Sequence, residues 1–422
     1  MSLDPERLGR ALGGDALLQH EPLDVAGVKL ATTLRPADGE RLAAALRLLD
    51  EAGAAALVRG RGTRLGFGNA PRRADLLLET TRLAGIDVLD ADEGVAHAAA
   101  GTPLAELHAA AREAGWELPI EAPSPDATLG GALASAAAGP RVLRHGPPRD
   151  HVLGLRVALA TGERTTCGGR VVKNVTGYDL MKLHCGAFGT LGVIEAAWLR
   201  LRPLPEETRV LCAWLPEGEP GFAPGLAAAR LGSARAVALV DPALAGRVDP
   251  GGPVRGRRLL VVELGGAPEE VRRDRAALEA HDPAEVGPEA LQRLAALQET
   301  PDPAHGLRFR LVLRPTRLEA AAAPLARAGA ALLAYPGAGF LFAGFPLYEG
   351  ADELAVDAAW RAARDAARAG GGSFALEAAP LWAKSGRDVF GDPPEALALM
   401  RALKARFDPR GVLNPGRFVG GI

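Results

Sequence analysis

Hydrophobic positions along the 422-residue chain alternate between short strand-like runs and helical stripes. Val28–Leu34 reads as a β-strand. Asp38 is placed to cap a helix in which Leu42, Leu46 and Leu49 recur on one face, and Gly53 stands where that helix should stop. The apolar run Ala54–Arg59 is a second strand. It leads directly into the loop Arg59-Gly-Arg-Gly-Thr-Arg-Leu-Gly-Phe-Gly68. Strands are expected at Asp75–Glu79, near Asp87–Asp90 and at Val95–Ala100. A helix follows from Pro103 to Ala114, with proline in its first turn and Gly115 at its end. Ala122–Gly139 opens with turn residues and becomes an alanine-rich helix. His151–Ala160 and Leu191–Leu201 alternate as strands. Between them lie a loop at Lys173–Gly177 and a short helix, Tyr178–Cys185.

After Pro205 the chain becomes rich in Ala, Arg and Pro, with alternating strand and helix patterns. An amphipathic helix, Pro394–Arg406, precedes Phe407-Asp-Pro-Arg-Gly-Val-Leu-Asn-Pro-Gly-Arg417. The partition is an N-terminal extension (1–24), an α/β domain (25–205), a second, smaller α/β domain (206–385) and a C-terminal segment (386–422). Ala328–Tyr348 has no charge and the length of a membrane span. Its glycines and prolines instead predict two strands, Ala330–Tyr335 and Phe340–Phe345, joined by the turn Pro-Gly-Ala-Gly.

Composition narrows the function classes. The chain is 48% hydrophobic and 24% charged with a net charge of −2, so it is a folded protein without a field that would draw nucleic acid. Cys167, Cys185 and Cys212 make no Cys-x-x-Cys pair, which argues against a disulfide scaffold, a zinc ribbon or a self-ligated cluster. The N-terminus has no leader-like pattern, and a reducing, cytoplasmic setting is expected. Asn occurs only at 69, 174 and 414, each in a Gly- or Pro-punctuated segment. Either those amides have a specific task, or they supply left-handed turns.

The glycine loop after a strand suggests a cradle for phosphate oxygens, because glycines let backbone N–H groups converge. A Rossmann fingerprint fails: counted from Gly60, the sixth residue is Leu65. A P-loop fails for want of Gly-Lys-Ser/Thr. A plain tight turn stays open on this segment alone.

Further segments join it in order: Ala-Thr-Leu-Gly-Gly at 127–131, Arg-His-Gly at 144–146, Asp150-His-Val-Leu-Gly-Leu-Arg-Val, Gly186-Ala-Phe-Gly-Thr-Leu-Gly-Val-Ile194 and Leu413-Asn-Pro-Gly416. Together they resemble the vanillyl-alcohol-oxidase-type (PCMH-type) FAD-binding fold. Gly169-Arg-Val-Val-Lys-Asn-Val-Thr-Gly-Tyr-Asp179 and the C-terminal run to Arg417 make the chain similar to FAD-binding subunits of bacterial glycolate oxidases.

The resemblance implies an α+β fold: a two-subdomain FAD domain, a smaller α/β cap and a C-terminal segment returning to the flavin. It implies that Gly60, Arg61, Gly62, Thr63 and Arg64 cradle the FAD diphosphate. Pro123, Thr128, Gly130, Gly131 and Ser135 would pass along flavin and diphosphate. Gly189, Gly192, Val193 and Ile194 would line adenine and ribose, and Asn414 would approach the isoalloxazine. Thr63 stands where relatives with histidine-linked flavin often carry that histidine, so FAD is expected to be non-covalent.

The partners implied are a sister FAD-containing catalytic subunit and an iron–sulfur subunit. The implied substrate of the complex is a small 2-hydroxy acid, glycolate, oxidised to glyoxylate. No nucleic acid and no transmembrane segment are expected, and any membrane association would run through partner subunits.

No catalytic residue is identified. His145, His151 and His184 lie near the expected flavin region, but spacing singles none out. Lys173 could lie near the flavin or at the surface. The His-x-x-Asp-Gly-Asn stretch of catalytic D-2-hydroxy-acid dehydrogenases has no counterpart here, and no histidine follows His305. The rivals are a self-sufficient oxidase of another 2-hydroxy acid and a scaffold subunit that has lost FAD.

Overall fold

A computed structural model of the chain describes residues 5–13, 15–170, 179–252, 256–299, 306–347 and 352–422. The chain divides into two units: Met1–Ala137 with Pro147–Leu204 and Lys384–Ile422, and Ala138–Gly146 with Pro205–Ala383.

The first unit holds two sheets. β1 (Leu17–Val25), β2 (Val28–Leu34), β3 (Ala56–Arg59) and β4 (Leu76–Glu79) are ordered β1-β2-β4-β3. β2 and β3 flank β4 in parallel, and β1 pairs antiparallel to β2. The parallel arrangement needs a crossover, which the helix Gly39–Ala52 supplies. Its start and stop are those expected: Asp38 accepts from the Arg41 N–H at 2.8 Å, and Gly53 is left-handed at φ +65°. Leu42, Leu46 and Leu49 are fully buried, in one core with Leu34, Ala56, Leu76 and Leu78. The helix Pro5–Leu12 and β1 lie largely within the stretch left as an extension. β1 buries only Val25, so no apolar alternation announces it.

The second sheet uses β5 (Ile86–Asp90), β6 (Val95–Ala99), β8 (Val152–Ala158), β9 (Arg164–Gly168) and β10 (Val193–Arg200), ordered β5-β6-β10-β8-β9. The two-residue β7 (Trp116–Glu117) and β11 (Arg202–Pro203) pair with each other. All pairs of the five-stranded sheet are antiparallel.

The C-terminal segment returns to β3. The Ala56 N–H donates to Val412 at 2.7 Å, and the Asn414 N–H donates to the Ala56 carbonyl at 3.0 Å. Asp408 shapes this return, accepting from the N–H groups of Val412 (2.8 Å) and Leu413 (2.9 Å).

The second unit is one eight-stranded sheet: β12 (Glu207–Trp214), β13 (Ala234–Val240), β14 (Leu259–Gly266), β15 (Ala284–Val286), β16 (Gly306–Val312), β17 (Ala331–Tyr335), β18 (Phe340–Pro346) and β19 (Ser373–Ala378). Their order is β15-β12-β14-β13-β17-β18-β16-β19. Every described pair is antiparallel, so strands and helices alternate in sequence without building a parallel sheet. The uncharged stretch from Ala328 forms the hairpin β17–β18, closed at Gly339 (φ +75°). Among the described residues, no helix is long and apolar enough to cross a membrane.

Candidate cofactor-binding site

A cleft of about 930 Å³, counted to its open mouth, lies in the first unit. Four stretches converge on it: Val58–Leu65 from the end of β3 onward, Ala127–Ser135, His184 with Phe188–Ile194, and Asn414 with Arg417. Gly60, Arg61, Gly62, Thr63, Arg64, Thr128, Gly130, Gly131, Ser135, Gly189, Gly192, Val193, Ile194 and Asn414 all line it. Pro123 is buried and is not a lining residue. Of the three histidines, only His184 lines the cleft. His151 is buried elsewhere in the first unit, and His145 ends the helix Val142–His145 of the second unit. Lys173 and Asn174 lie outside the described residues.

The first loop leaves its backbone donors open. Among the described residues, no N–H from Gly60 to Thr63 donates to a protein acceptor, while the turn is held by Leu65 N–H to Gly62 (3.0 Å) and Phe67 N–H to Arg64 (3.0 Å). Converging, unspent N–H groups suit an anion.

The lining glycines divide by cause. A β-carbon on Gly60 would strike the Thr128 hydroxyl at 2.2 Å, and one on Gly130 would strike Ala100 at 2.7 Å. One on Gly192 would strike Val157 at 2.5 Å, and one on Gly189 the Asn414 amide nitrogen at 2.9 Å. At these four the protein fills the space, and at Gly189 the left-handed backbone (φ +64°) adds its own demand for glycine. Gly62 differs: at φ +79° its nearest contact would be Arg59 at 3.8 Å, so its conformation demands glycine while the space beside it stays clear.

Thr128 therefore has a structural task. Besides filling the gap at Gly60, its hydroxyl accepts from the Gly131 N–H at 3.3 Å and caps the helix Leu129–Ala134. That helix ends earlier than its alanines suggest. Ala136 turns left-handed (φ +46°), with its N–H on Leu133 and the Ala137 N–H on Ala132, a Schellman closure.

Asn414 realises both alternatives held open for scarce asparagine. It is left-handed at φ +45°. Its amide oxygen accepts from the Val58 N–H and its amide nitrogen donates to Phe188, each at 2.7 Å. Phe188 is itself left-handed at φ +56°, so strained backbone gathers on the cleft wall. Asn69 is equally occupied, bonding Asp388, Val389 and Phe418.

Three features were missed from sequence. Phe67, Phe188, Phe390 and Phe418 form a ring cluster with centroids 4.9–5.4 Å apart. Arg417 lies buried with its guanidinium on the carbonyls of Leu65, Phe67 (both 2.6 Å) and Asn69 (2.7 Å). Burial brings it down to about 10. Lys384, also buried, donates to Gly66. Burial first, then Arg417, lowers it to about 8. Arg417 lay in the quoted C-terminal motif, but nothing in the motif's pattern marks its side chain as buried. Among the described residues, no group of three or more His, Cys, Asp or Glu could hold a metal.

Residues 31–168 match the model described as "FAD binding domain", and residues 391–418 match "FAD linked oxidases, C-terminal domain". Residues 31–168 thus form an FAD-binding domain. Its cofactor is FAD. The chain is homologous to a D-lactate dehydrogenase of Archaeoglobus fulgidus, with 36% identity over 186 residues, 44% of this chain and 42% of that protein. Glycolate oxidase subunit GlcE of Escherichia coli is 43% identical over 123 residues, 29% of this chain and 35% of that one. Glycolate oxidase subunit GlcD of Bacillus subtilis is 30% identical over 253 residues, 58% and 54% of the two chains. The chain thus spans between about a third and a half of these relatives.

Among solved structures, an alkyldihydroxyacetonephosphate synthase superposes with a TM-score of 0.71 at 16% identity, over 99% of this chain and 86% of that one. p-Cresol methylhydroxylase gives 0.71 at 16%, over 98% and 95%. At such identity these neighbours speak for the fold alone, and it is the α+β, PCMH-type fold expected from the sequence.

The cleft suits that cofactor by an observation of its own. The open donors of Gly60–Thr63 and the clear space at Gly62 meet the need of a diphosphate for N–H groups without a side chain in the way.

Proposed function

We propose that this chain is the FAD-binding subunit of a heteromeric glycolate oxidase or dehydrogenase, holding FAD without a covalent bond. The observation that carries the reading is an imbalance. The cleft of the first unit is lined along its length for a cofactor, yet among the described residues the second unit brings no three His, Cys, Asp or Glu side chains together. Its described histidines are His145 and His281 alone, and the hairpin β17–β18 is apolar. The likeness to GlcE supports the glycolate assignment.

Bound FAD would supply the redox chemistry, acceptance of a hydride from the α-carbon of a 2-hydroxy acid. The chain's residues hold it: Gly60–Arg64 on the diphosphate, the Thr128–Ser135 and Gly189–Ile194 segments along its length, and Asn414 fixing the wall beside Phe188. Proton abstraction from the hydroxyl needs a base within hydrogen-bond reach. A sister catalytic subunit supplies it, and an iron–sulfur subunit takes the electrons onward. The complex works in the cytoplasm or on a membrane through its partners.

Acid precipitation should release the yellow colour into the supernatant. Flavin left on the denatured chain would overturn the non-covalent claim. The isolated, FAD-loaded chain should show little glycolate oxidation with an artificial acceptor. Activity should return with the partners that co-purify from the native host.

A second reading, a self-sufficient oxidase of another 2-hydroxy acid, is favoured by the 36% identity with the D-lactate dehydrogenase over 186 residues. Robust turnover of D-lactate by the single chain would establish it in place of the first.

A further inference from the structure

One lining residue of the FAD cleft has no employment within the protein. His184 ends the short helix Met181–His184 and is 4% exposed. It lines the cleft, and its Nδ1 is buried without a hydrogen-bond partner. Among the described residues, neither ring nitrogen is engaged. The ring packs edge-on to Phe407, with centroids 5.9 Å apart and planes at 88°. On the other side Gly192 gives it room: a β-carbon there would lie 3.4 Å from Cε1.

Packing alone is a poor reason for this residue. A leucine or methionine would fill the same space between Phe407 and Gly192 without burying a polar atom, and buried polar groups are almost always satisfied. His184 lines the cleft, so a group bound there can reach its ring. Burial lowers the ring to about 4, so near neutral pH it is uncharged, with one donor and one acceptor nitrogen. A neutral ring suits an uncharged polar edge better than a phosphate.

Resting on the FAD assignment, we infer that His184 is a cofactor-binding residue, which in its neutral form makes a hydrogen bond to an uncharged polar group of bound FAD. The neighbouring Gly192–Ile194 segment, expected along adenine and ribose, points to the adenosine half. No motif of the fold specified this contact. It emerges only from burial and an empty bond.

The test uses the purified chain stripped of flavin. FAD affinity is measured by fluorescence titration, and stability of the flavin-free form by thermal unfolding, for wild type, His184→Leu and His184→Gln. A cofactor-contact role moves the two quantities in opposite directions. His184→Leu should melt higher than wild type without flavin, because a buried unsatisfied atom is gone, yet bind FAD about tenfold more weakly. His184→Gln, which keeps a donor and an acceptor, should recover part of the affinity. ADP should lose affinity in parallel with FAD.

Unchanged FAD affinity in His184→Leu overturns the proposal. So does a lower melting temperature, or failure to fold, in both variants, since that marks a structural residue. Loss of FAD affinity with ADP affinity intact overturns the adenosine placement. If wild type itself takes up no FAD, it is the cofactor reading that fails, which separates the two claims.

Discussion

Around the FAD cleft of the first unit, buried polar groups are left for something other than protein to satisfy. In the sheet of the second unit the buried carboxylates face cations of opposite sign. The cleft keeps open N–H groups at Gly60–Thr63, an unpartnered ring at His184 and the buried cation Arg417, and behind Arg417 lies Lys384; both cations meet backbone carbonyls. In the second unit Glu263, 1% exposed, takes Arg141 through two bonds of 2.7 and 2.8 Å and lies 3.5 Å from Arg235. Glu377 holds Arg310 at 3.2 Å and Arg308 at 3.7 Å. The lesson is energetic. A region whose buried charges are matched is stable as it stands, while one with unspent donors and unmatched cations reaches its lowest free energy with a ligand in place.

The largest effect should come from breaking the matched side. Glu263→Ala takes the buried carboxylate away from Arg235, which is buried, and from the half-buried Arg141, and removing one partner of a buried pair costs about 3–5 kcal/mol. Denaturant unfolding of the variant should show that loss while flavin content stays at wild type. A variant as stable as wild type would mean that these ions are solvated and that the two regions do not differ as described.

Next comes the open side. Gly62→Val puts a β-branched residue at φ +79° and must rebuild the loop that presents the donors. FAD affinity should fall about a hundredfold or more, some 2.7 kcal/mol. A full complement of flavin after purification would show that the diphosphate lies elsewhere. Gly130→Val should behave differently, destabilising the first unit itself by collision with Ala100.

Lys384 gives a pH signature. Its amine falls to about 8 in the folded chain from an ordinary 10.5. Between those values the unfolded chain binds more protons than the folded one, so the cost of the buried charge is full below about pH 8 and fades as pH rises towards 10.5. Lys384→Met should therefore raise flavin-free stability by about 2 kcal/mol near pH 7, with the gap closing by pH 10.5. Thermal unfolding across that range reads it out. A gap that widens with pH would reverse the sign assigned to this site.

What the sequence made legible follows the same division. Gly60–Gly68, Gly189 and Asn414 were visible because backbone geometry restricts residue choice, and such restriction shows as punctuation. The hairpin at Ala331–Pro346 was visible for the same reason, in its Pro-Gly-Ala-Gly turn. Arg417 and Lys384 were not, and His184 was named with His145 and His151 without being singled out, because their significance lies in what fails to approach them in three dimensions. Gly60 and Gly130 were legible as glycines but not in their cause, which is Thr128 and Ala100 rather than ligand. β1 was invisible because an exposed edge strand needs no alternation.

The smallest effect tests whether the comparison is local to the cleft. Asp38 belongs to the first unit yet faces solvent, capping the helix Gly39–Ala52 through the Arg41 N–H and pairing with the Arg41 side chain. Both are properties of the helix end, and no residue from 38 to 41 lines the cleft. Asp38→Ala removes the cap for about 1 kcal/mol. The exposed ion pair adds little to that, since its charges are screened. Asp38→Asn or Asp38→Ser, which can still accept from the Arg41 N–H, should restore most of the loss. FAD affinity should be the same in all of these variants, because the cap contributes to the fold and not to the donors at Gly60–Thr63. If Asp38→Ala weakened FAD binding in proportion to its loss of stability, the open groups of the cleft would be poised by the stability of the whole unit. The contrast drawn here would then be one between two units, not between a cleft and a sheet.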